Sequence, residues 1–186
     1  ISFPTEYGTV YTLEELTAIS EVCHDAGIPL FIDGARLGYG LAADGNNVTL
    51  KDIARLCDVF YIGGTKVGAL FGEAVVITNP DILKNFMPLV KQHGALLAKG
   101  RLLGVQFEAL FTDGLYEKIS RDTVRRAIRL KEIFNSAGYT SAVDSPTNQQ
   151  FFTLPNTLID RLREEASFEM WGPRGETEST VRFVTG

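Results

Sequence analysis

Apolar positions along the first part of the chain switch between a helical period and short continuous runs, and the switches mark the elements. Leu13, Leu16, Ile19, Val22, Cys23 and Ala26 recur at helical spacing. Ahead of them, Thr12-Leu13-Glu14-Glu15 is a capping box. The Thr12 hydroxyl accepts from a backbone N–H, and the Glu15 carboxylate reaches back. Behind them, Gly27 suits the left-handed position after a helix, and Pro29 bars continuation. The spacing predicts a helix over 12–26 with one buried face. Residues 30–32 form a short apolar run, which predicts a buried parallel strand ending at Asp33. A polar turn region follows over 41–47. A second short helix over 49–56 has the similar start Thr49-Leu50-Lys51-Asp52, and a strand over 58–62 comes next. Strand, helix and strand in that order predict a right-handed βαβ unit.

The next apolar run, 74–77, lies close behind, across a link with glycines at 63, 64, 68 and 72. A parallel crossover needs about a dozen residues or more, usually with a helix. The run is therefore expected to lie antiparallel to its predecessor, with Lys66 on the connection. Asn79-Pro80 reads as a cap followed by proline at the first helical position. Ile82, Leu83, Phe86 and Met87 are expected to form that helix's buried face, and Pro88 to end or kink it. A long helix is expected over 95–112, with Gly100 and Gly104 as points of close backbone approach. Asp113-Gly114 breaks it. Another helix over 115–136 carries Arg and Lys on its outer face and closes at Gly138.

The texture then changes. Strands are predicted over 150–154, 168–171 and 180–185, with a helix over 155–165. One helix with antiparallel strands suggests a small α+β unit. The expected fold class is α/β. The expected division is a large domain over 1–95 and a small C-terminal α+β domain over 96–186, including the long linking helix.

Composition narrows the function classes. The chain has 186 residues, 45% of them hydrophobic and 22% charged, and a net charge of −5. No non-specific affinity for nucleic acid or an anionic membrane is expected from that balance. No apolar run reaches the roughly 20 residues of a membrane helix. Cys23 and Cys57 are isolated on predicted helices. No disulfide framework or zinc site is expected, and a reducing cytoplasm fits. The chain starts at Ile1 and stops at Gly186 after a strand-like run, so it reads as a fragment.

The candidate chemistry lies at two strand ends. A lysine held between buried strands is partly desolvated, and a neutral amine forms Schiff bases with aldehydes. By itself, Gly64-Thr65-Lys66 reads more readily as a wet surface loop. The second stretch, Phe31-Ile32-Asp33-Gly34-Ala35-Arg36-Leu37, changes the picture. Ligands of open α/β sheets sit beyond the carboxyl ends of parallel strands. Asp33 and Lys66 follow neighbouring strands one βαβ unit apart. An acid and a lysine so placed suit pyridoxal 5′-phosphate, with the carboxylate keeping the pyridine nitrogen protonated. An ion pair of Asp33 with Lys66 or Arg36, with no cofactor, fits the same spacing. Lys99 and Arg101 read as a solvated helix face, His24 as solvated, and His93 as structural.

Thr5-Glu6-Tyr7-Gly8-Thr9-Val10-Tyr11-Thr12-Leu13-Glu14-Glu15-Leu16, followed by Asp33-Gly34-Ala35-Arg36-Leu37, resembles the low-specificity L-threonine aldolases. These belong to the β-eliminating-lyase group of fold-type-I pyridoxal-phosphate enzymes. Gly64-Thr65-Lys66 with Gly72-Glu73-Ala74 resembles their cofactor-lysine segment. Val181-Arg182-Phe183-Val184-Thr185 resembles their C-terminal substrate-binding strand. The resemblance implies the C-terminal part of a fold-type-I large domain, a mainly parallel sheet with one antiparallel strand, plus the small domain. It implies Lys66 as the Schiff-base lysine and Asp33 as the partner of the pyridine nitrogen. It places Arg36 at the cofactor and the substrate carboxylate, Thr65 at the cofactor phosphate, and Arg182 at the substrate carboxylate. It implies a lyase that cleaves L-threonine or L-allo-threonine to glycine and acetaldehyde, without a metal. It also implies a homodimer or homotetramer with active sites near the subunit interface. The rival readings are β-elimination from an aromatic amino acid or cysteine, and a non-catalytic fragment of the same fold. The family's phosphate-binding glycine turn and ring-stacking histidine would precede Ile1, so this chain alone is expected to lack a complete site.

Overall fold

The computed structural model describes residues 1–186, apart from the side chain of Leu83. The first helix, α1 (Leu13–Asp25), has the predicted capping box complete: Glu15 N–H donates to Thr12 Oγ1 at 3.2 Å, and Thr12 N–H to Glu15 Oε2 at 2.8 Å. Gly27 follows at φ +68°. Leu16 is fully buried, whereas Val22 and Ala26 are exposed, so the buried stripe is narrower than its apolar spacing suggests. Strand β1 (Phe31–Ile32) buries Ile32 and leaves Phe31 exposed, so it is covered on one face rather than two. Directly after it comes α2 (Leu37–Leu41), a five-residue helix with no expectation from sequence, because two of its residues are glycines. Helix α3 (Leu50–Leu56) starts at a second capping box, Thr49 with Asp52.

Strand β2 (Val59–Gly63) pairs with β1 in parallel, Ile32 opposite Phe60. Strand β3 (Glu73–Ile77) pairs with β2 antiparallel, from Val59 opposite Ile77 to Gly63 opposite Glu73. The short link thus does what its length requires. Ser2 bridges to Asp33 in parallel, so the first residues run beside the end of β1. The sheet order is β1-β2-β3.

The region after β3 departs from expectation. A 3-10 turn over Pro80–Leu83 is capped by Asn79, whose side chain accepts from Asp81 N–H at 3.0 Å. Helix α4 (Phe86–Gln92) begins only after Asn85 at φ +61°. Pro88 lies inside its first turn, where a missing N–H costs nothing, so it neither ends nor kinks the helix. Ile82, Phe86 and Met87 are exposed rather than buried, and the Leu83 side chain lies outside the described residues. Helix α5 (Arg101–Phe111) is shorter than predicted, and a side chain at Gly104 would meet open space, so no backbone approaches there. The break at Asp113 (φ 51°) and Gly114 (φ 65°) leads into α6 (Leu115–Ser136), which ends before Gly138 at φ +89°.

Beyond lie β4 (Ser141–Val143), β5 (Gln149–Pro155), α7 (Asn156–Arg163), β6 (Glu169–Met170) and β7 (Glu178–Val184). The strands form one antiparallel sheet ordered β4-β5-β7-β6. β4 has no expectation from sequence, being three residues with little apolar signal. Two apolar cores result. The first packs α1, α3 and β2 against Leu110, Tyr116 and Val124. The second packs Phe152, Leu154, Ile159 and Val181 against Leu130 and Phe134. Helix α6 therefore feeds both. The fold is α/β, a mixed sheet beside an antiparallel one.

Asp58 ties three elements together. Its Oδ2 accepts from Leu30 N–H at 2.7 Å and meets His24 Nε2 at 2.9 Å, and its Oδ1 accepts from Asn79 Nδ2 at 2.6 Å. His24 is thus a bound partner and not merely solvated. The Asn79 amide, then His24 and the Leu30 N–H, hold the Asp58 carboxyl below the usual carboxylate range despite burial. A depressed folded value stabilises above the unfolded value of about 3.9, and the effect is lost as pH falls through the folded value. Asp58→Ala is expected to cost about 1.5–3 kcal/mol at neutral pH. In urea denaturation, the gap from wild type should narrow below about pH 4. A gap that stays constant down to pH 3 would rule this out.

Candidate active site

Asp33 stands at the carboxyl end of β1, and its backbone is fixed on both sides. Asp33 N–H donates to Ile1 O at 2.8 Å, and Phe3 N–H donates to Asp33 O at 2.8 Å. Its carboxylate Oδ1 accepts from Ala35 N–H at 3.0 Å and from the Tyr61 hydroxyl. Burial, then that bond to Asp33, pushes the Tyr61 phenol above its ordinary value, so Tyr61 stays a donor. Oδ2 has no protein partner among the described residues. Gly34 allows this closeness: a Cβ there would lie 1.9 Å from the Tyr61 carbonyl oxygen. Arg36 follows at the start of α2, and its Nε is buried without a hydrogen-bond partner among the described residues.

Lys66 sits on the turn that leaves β2. Val67 N–H and Ala69 N–H both donate to Gly64 O, at 2.9 and 3.0 Å. Gly64 N–H donates to Glu73 Oε2 at 2.7 Å, and Val67 is fully buried. The neighbours are anchored while Lys66 itself is exposed. This corrects the expected desolvation: the loop lies at the rim of the sheet, beyond the strands that would have covered the amine. Thr65 is exposed too, with its hydroxyl 3.4 Å from Glu73 Oε1.

The two strand ends open on one cavity of about 420 Å³. Arg36, Tyr39, Thr65, Lys66 and Gly68 line one side, and Asn148, Val184, Thr185 and Gly186 the other. Three of the predicted residues, Arg36, Thr65 and Lys66, thus meet in one place. Asp33 and Arg182 are not among the lining side chains.

Arg182 lies on β7 two residues before Val184, hence on the same face of the strand. It is not the free outward residue that alternation alone suggests, since its side chain is only 11% exposed. Its Nη1 donates to Glu6 Oε1 at 2.9 Å and to Gln149 Oε1 at 3.0 Å, and its Nη2 to Glu169. The guanidinium lies 4.7 Å from the Trp171 ring centroid, an attractive cation–π geometry. Its Nε is buried and unpartnered among the described residues. Arg36, which lines the cavity, and Arg182, which does not, each have a buried Nε without a partner among the described residues.

Sequence reasoning missed Tyr39, Tyr61, Glu6, Glu169 and Trp171. Their roles come from pairings between distant elements, which leave no local spacing signal. His93 is exposed at the end of α4. Lys99 and Arg101 are exposed as expected. Cys23 and Cys57 are both free. Burial pushes the Cys57 thiol up to about 12, so it is chemically quiet. Among the described residues no group of three or more His, Cys, Asp or Glu is placed to hold a metal ion. Among the described residues no helix is long and apolar enough to cross a membrane.

Comparison with known proteins puts these features in context. The chain is 32% identical over 160 residues to the low specificity L-threonine aldolase of Pseudomonas aeruginosa, covering 86% of this chain and 46% of that protein. A solved structure of Leishmania major threonine aldolase superposes with a TM-score of 0.96 at 43% identity, over 100% of this chain and 54% of that one. An aspartate aminotransferase of Thermus thermophilus, at 16% identity and a TM-score of 0.68, shares the fold over 99% of this chain and 51% of its own. The chain spans about half the length of the curated relatives it matches. The sequence model of the beta-eliminating lyase family matches residues 3–157, and the chain belongs to that family.

Proposed function

We propose that this chain is the part of a pyridoxal-phosphate-dependent lyase that carries the cofactor lysine. The reaction proposed is cleavage of L-threonine or L-allo-threonine to glycine and acetaldehyde. The observation that carries the reading is the meeting of Lys66, Thr65 and Arg36 at one cavity, beside the strand end that bears Asp33. The names of the aldolase relatives support the substrate class.

The donor set fits the cofactor. Asp33 has a carboxylate oxygen without a protein partner, and Arg36 has a buried N–H without one. An amine, an acceptor and a donor are what an aldehyde, a pyridinium N–H and a phenolate oxygen require. Lys66 would hold the group through its aldehyde, Asp33 Oδ2 would keep the proton on the ring nitrogen, and Arg36 Nε would face the phenolate side. Thr65 would donate to the phosphate. When bound, pyridoxal phosphate supplies an electron sink for the pair left at the α-carbon. Arg182 and Arg36 would hold the substrate carboxylate and so fix which α-carbon bond is broken. The β-hydroxyl loses a proton, the Cα–Cβ bond breaks, acetaldehyde leaves, and the α-carbon gains a proton to give glycine. Assembly as a homodimer or homotetramer with sites near the interface belongs to the same proposal. Exposed Met87, Leu89, Leu96 and Leu97 support it, and a cytoplasmic location goes with it.

The test is product analysis of the protein at full length with L-threonine, L-allo-threonine and L-tryptophan. Glycine with acetaldehyde is the expected result. Ammonia with a keto acid, or indole from tryptophan, would replace it with β-elimination. Arg182→Lys tests the substrate contact. It keeps the charge but loses the planar fork, so apparent affinity for threonine should fall about ten- to a hundred-fold, the worth of a charge-assisted hydrogen bond. The cofactor absorbance should be unaltered. Unaltered kinetics in Arg182→Lys would leave this arginine to its partners Glu6 and Glu169 alone.

A further inference from the structure

Two buried tyrosines bond to the backbone around Arg36 and Lys66, one of them (Tyr39) lining the cavity itself, and the resemblance to known lyases gives neither of them a role. The Tyr116 hydroxyl, from the first turn of α6, accepts from Gly38 N–H at 3.1 Å and donates to Gly63 O at 3.1 Å. Gly38 lies just after Arg36, and Gly63 just before the Lys66 turn. One phenol therefore joins the arginine-bearing turn to the lysine-bearing loop. Tyr39, on α2, donates its hydroxyl to the carbonyl of Lys66 itself. Tyr39 and Tyr116 are 1% and 2% exposed. Burial pushes both phenols above their ordinary value, so each keeps its proton as a donor.

The packing around these bonds leaves little slack. A Cβ at Gly38 would stand 2.3 Å from Ser120 Oγ and 2.8 Å from the Tyr116 ring. A Cβ at Gly63 would stand 2.2 Å from the Ala35 carbonyl oxygen. The loop ahead contains Gly68 at φ +101° and Gly72 at φ +89°, left-handed backbone that glycine adopts readily. At Lys66 the bond is from Tyr39.

We propose that Tyr39 and Tyr116 are positioning residues that fix the backbone of Lys66 relative to Arg36, so that the amine and the guanidinium address one ligand together. The proposal rests on the reading of Lys66 as the cofactor-bearing residue. It extends that reading to two hydroxyls that bond protein backbone rather than cofactor or substrate. Tyr39→Phe removes the hydroxyl alone and with it the bond to the Lys66 carbonyl. Tyr116→Phe leaves two buried backbone groups unpaired.

The experiment compares wild type, Tyr39→Phe and Tyr116→Phe in the full-length protein. Amide hydrogen exchange is followed at residues 64–69 and, as an internal reference, at 50–56. Exchange over 64–69 should speed up about tenfold in each variant, the worth of about one hydrogen bond, with 50–56 unchanged. Trapping of Lys66 by pyridoxal phosphate and borohydride should slow, and kcat should fall, each by about tenfold. KM for threonine should stay within about twofold. Unchanged exchange over 64–69 overturns the proposal. So does faster exchange with unaltered trapping and kcat, because the contact is then merely structural. Should Tyr116→Phe fail to fold, Tyr39→Phe decides by the same readouts. A wild-type protein whose Lys66 is never labelled sinks the functional reading instead, while the exchange data still settle whether the tyrosines hold the loop.

Discussion

Lys66→Ala is expected to abolish covalent attachment of pyridoxal phosphate and to lower turnover by about 10³-fold or more, the scale lost when a positioned reacting group is removed. The structure makes this a clean test. The Lys66 side chain is exposed, so its loss uncovers no core. Its carbonyl, held by Tyr39, is retained by alanine, and the anchor Val67 is untouched. Thermal stability should therefore stay close to wild type, since surface substitutions away from special features cost within about 0.5 kcal/mol. After borohydride reduction, mass spectrometry of wild type should place the pyridoxyl group on the peptide containing Lys66. Lys91 and Lys99 are also exposed and provide the internal comparison. A label on either of them, or a label that persists in Lys66→Ala, would overturn the assignment.

Local chemistry was legible in the sequence and tertiary pairing was not. Both capping boxes were readable because Thr12 with Glu15, and Thr49 with Asp52, act within one turn. The ends of α6 were readable because Asp113-Gly114 and Gly138 carry left-handed backbone. The antiparallel β3 followed from the length of the link. Apolar spacing does not imply burial at Val22, Phe86 and Met87, which are exposed. Periodicity reports which residues share a face, and it does not report what lies opposite that face. The site shows the same division. Lys66 and Asp33 were findable as ends of neighbouring strands. The bond from Tyr39 to Lys66 was not, nor was the enclosure of Arg182 by Glu6 and Glu169, because these partners come together only once both sheets are built.

Asp33→Asn is expected to separate cofactor retention from catalysis. Asparagine offers a carbonyl oxygen where Asp33 has Oδ1, so the bonds from Ala35 N–H and the Tyr61 hydroxyl can both persist. The backbone bonds to Ile1 and Phe3 do not involve the side chain at all. The local fold and the Lys66 linkage should therefore survive. The change falls on the other atom: an amide NH₂ replaces the charged Oδ2 and can no longer hold a proton on a pyridine nitrogen. Removing one partner of a buried charge pair costs about 3–5 kcal/mol. If that cost falls on the transition state, turnover drops by roughly two to four orders of magnitude. Asp33→Ala would also free the Tyr61 hydroxyl and Ala35 N–H, so it should lose stability that Asp33→Asn retains. The measurements are cofactor titration, turnover with threonine and thermal melting of both variants. Full turnover in Asp33→Asn would show that this carboxylate does not face the ring. Equal loss of cofactor and of stability in the two variants would make Asp33 a structural cap for β1.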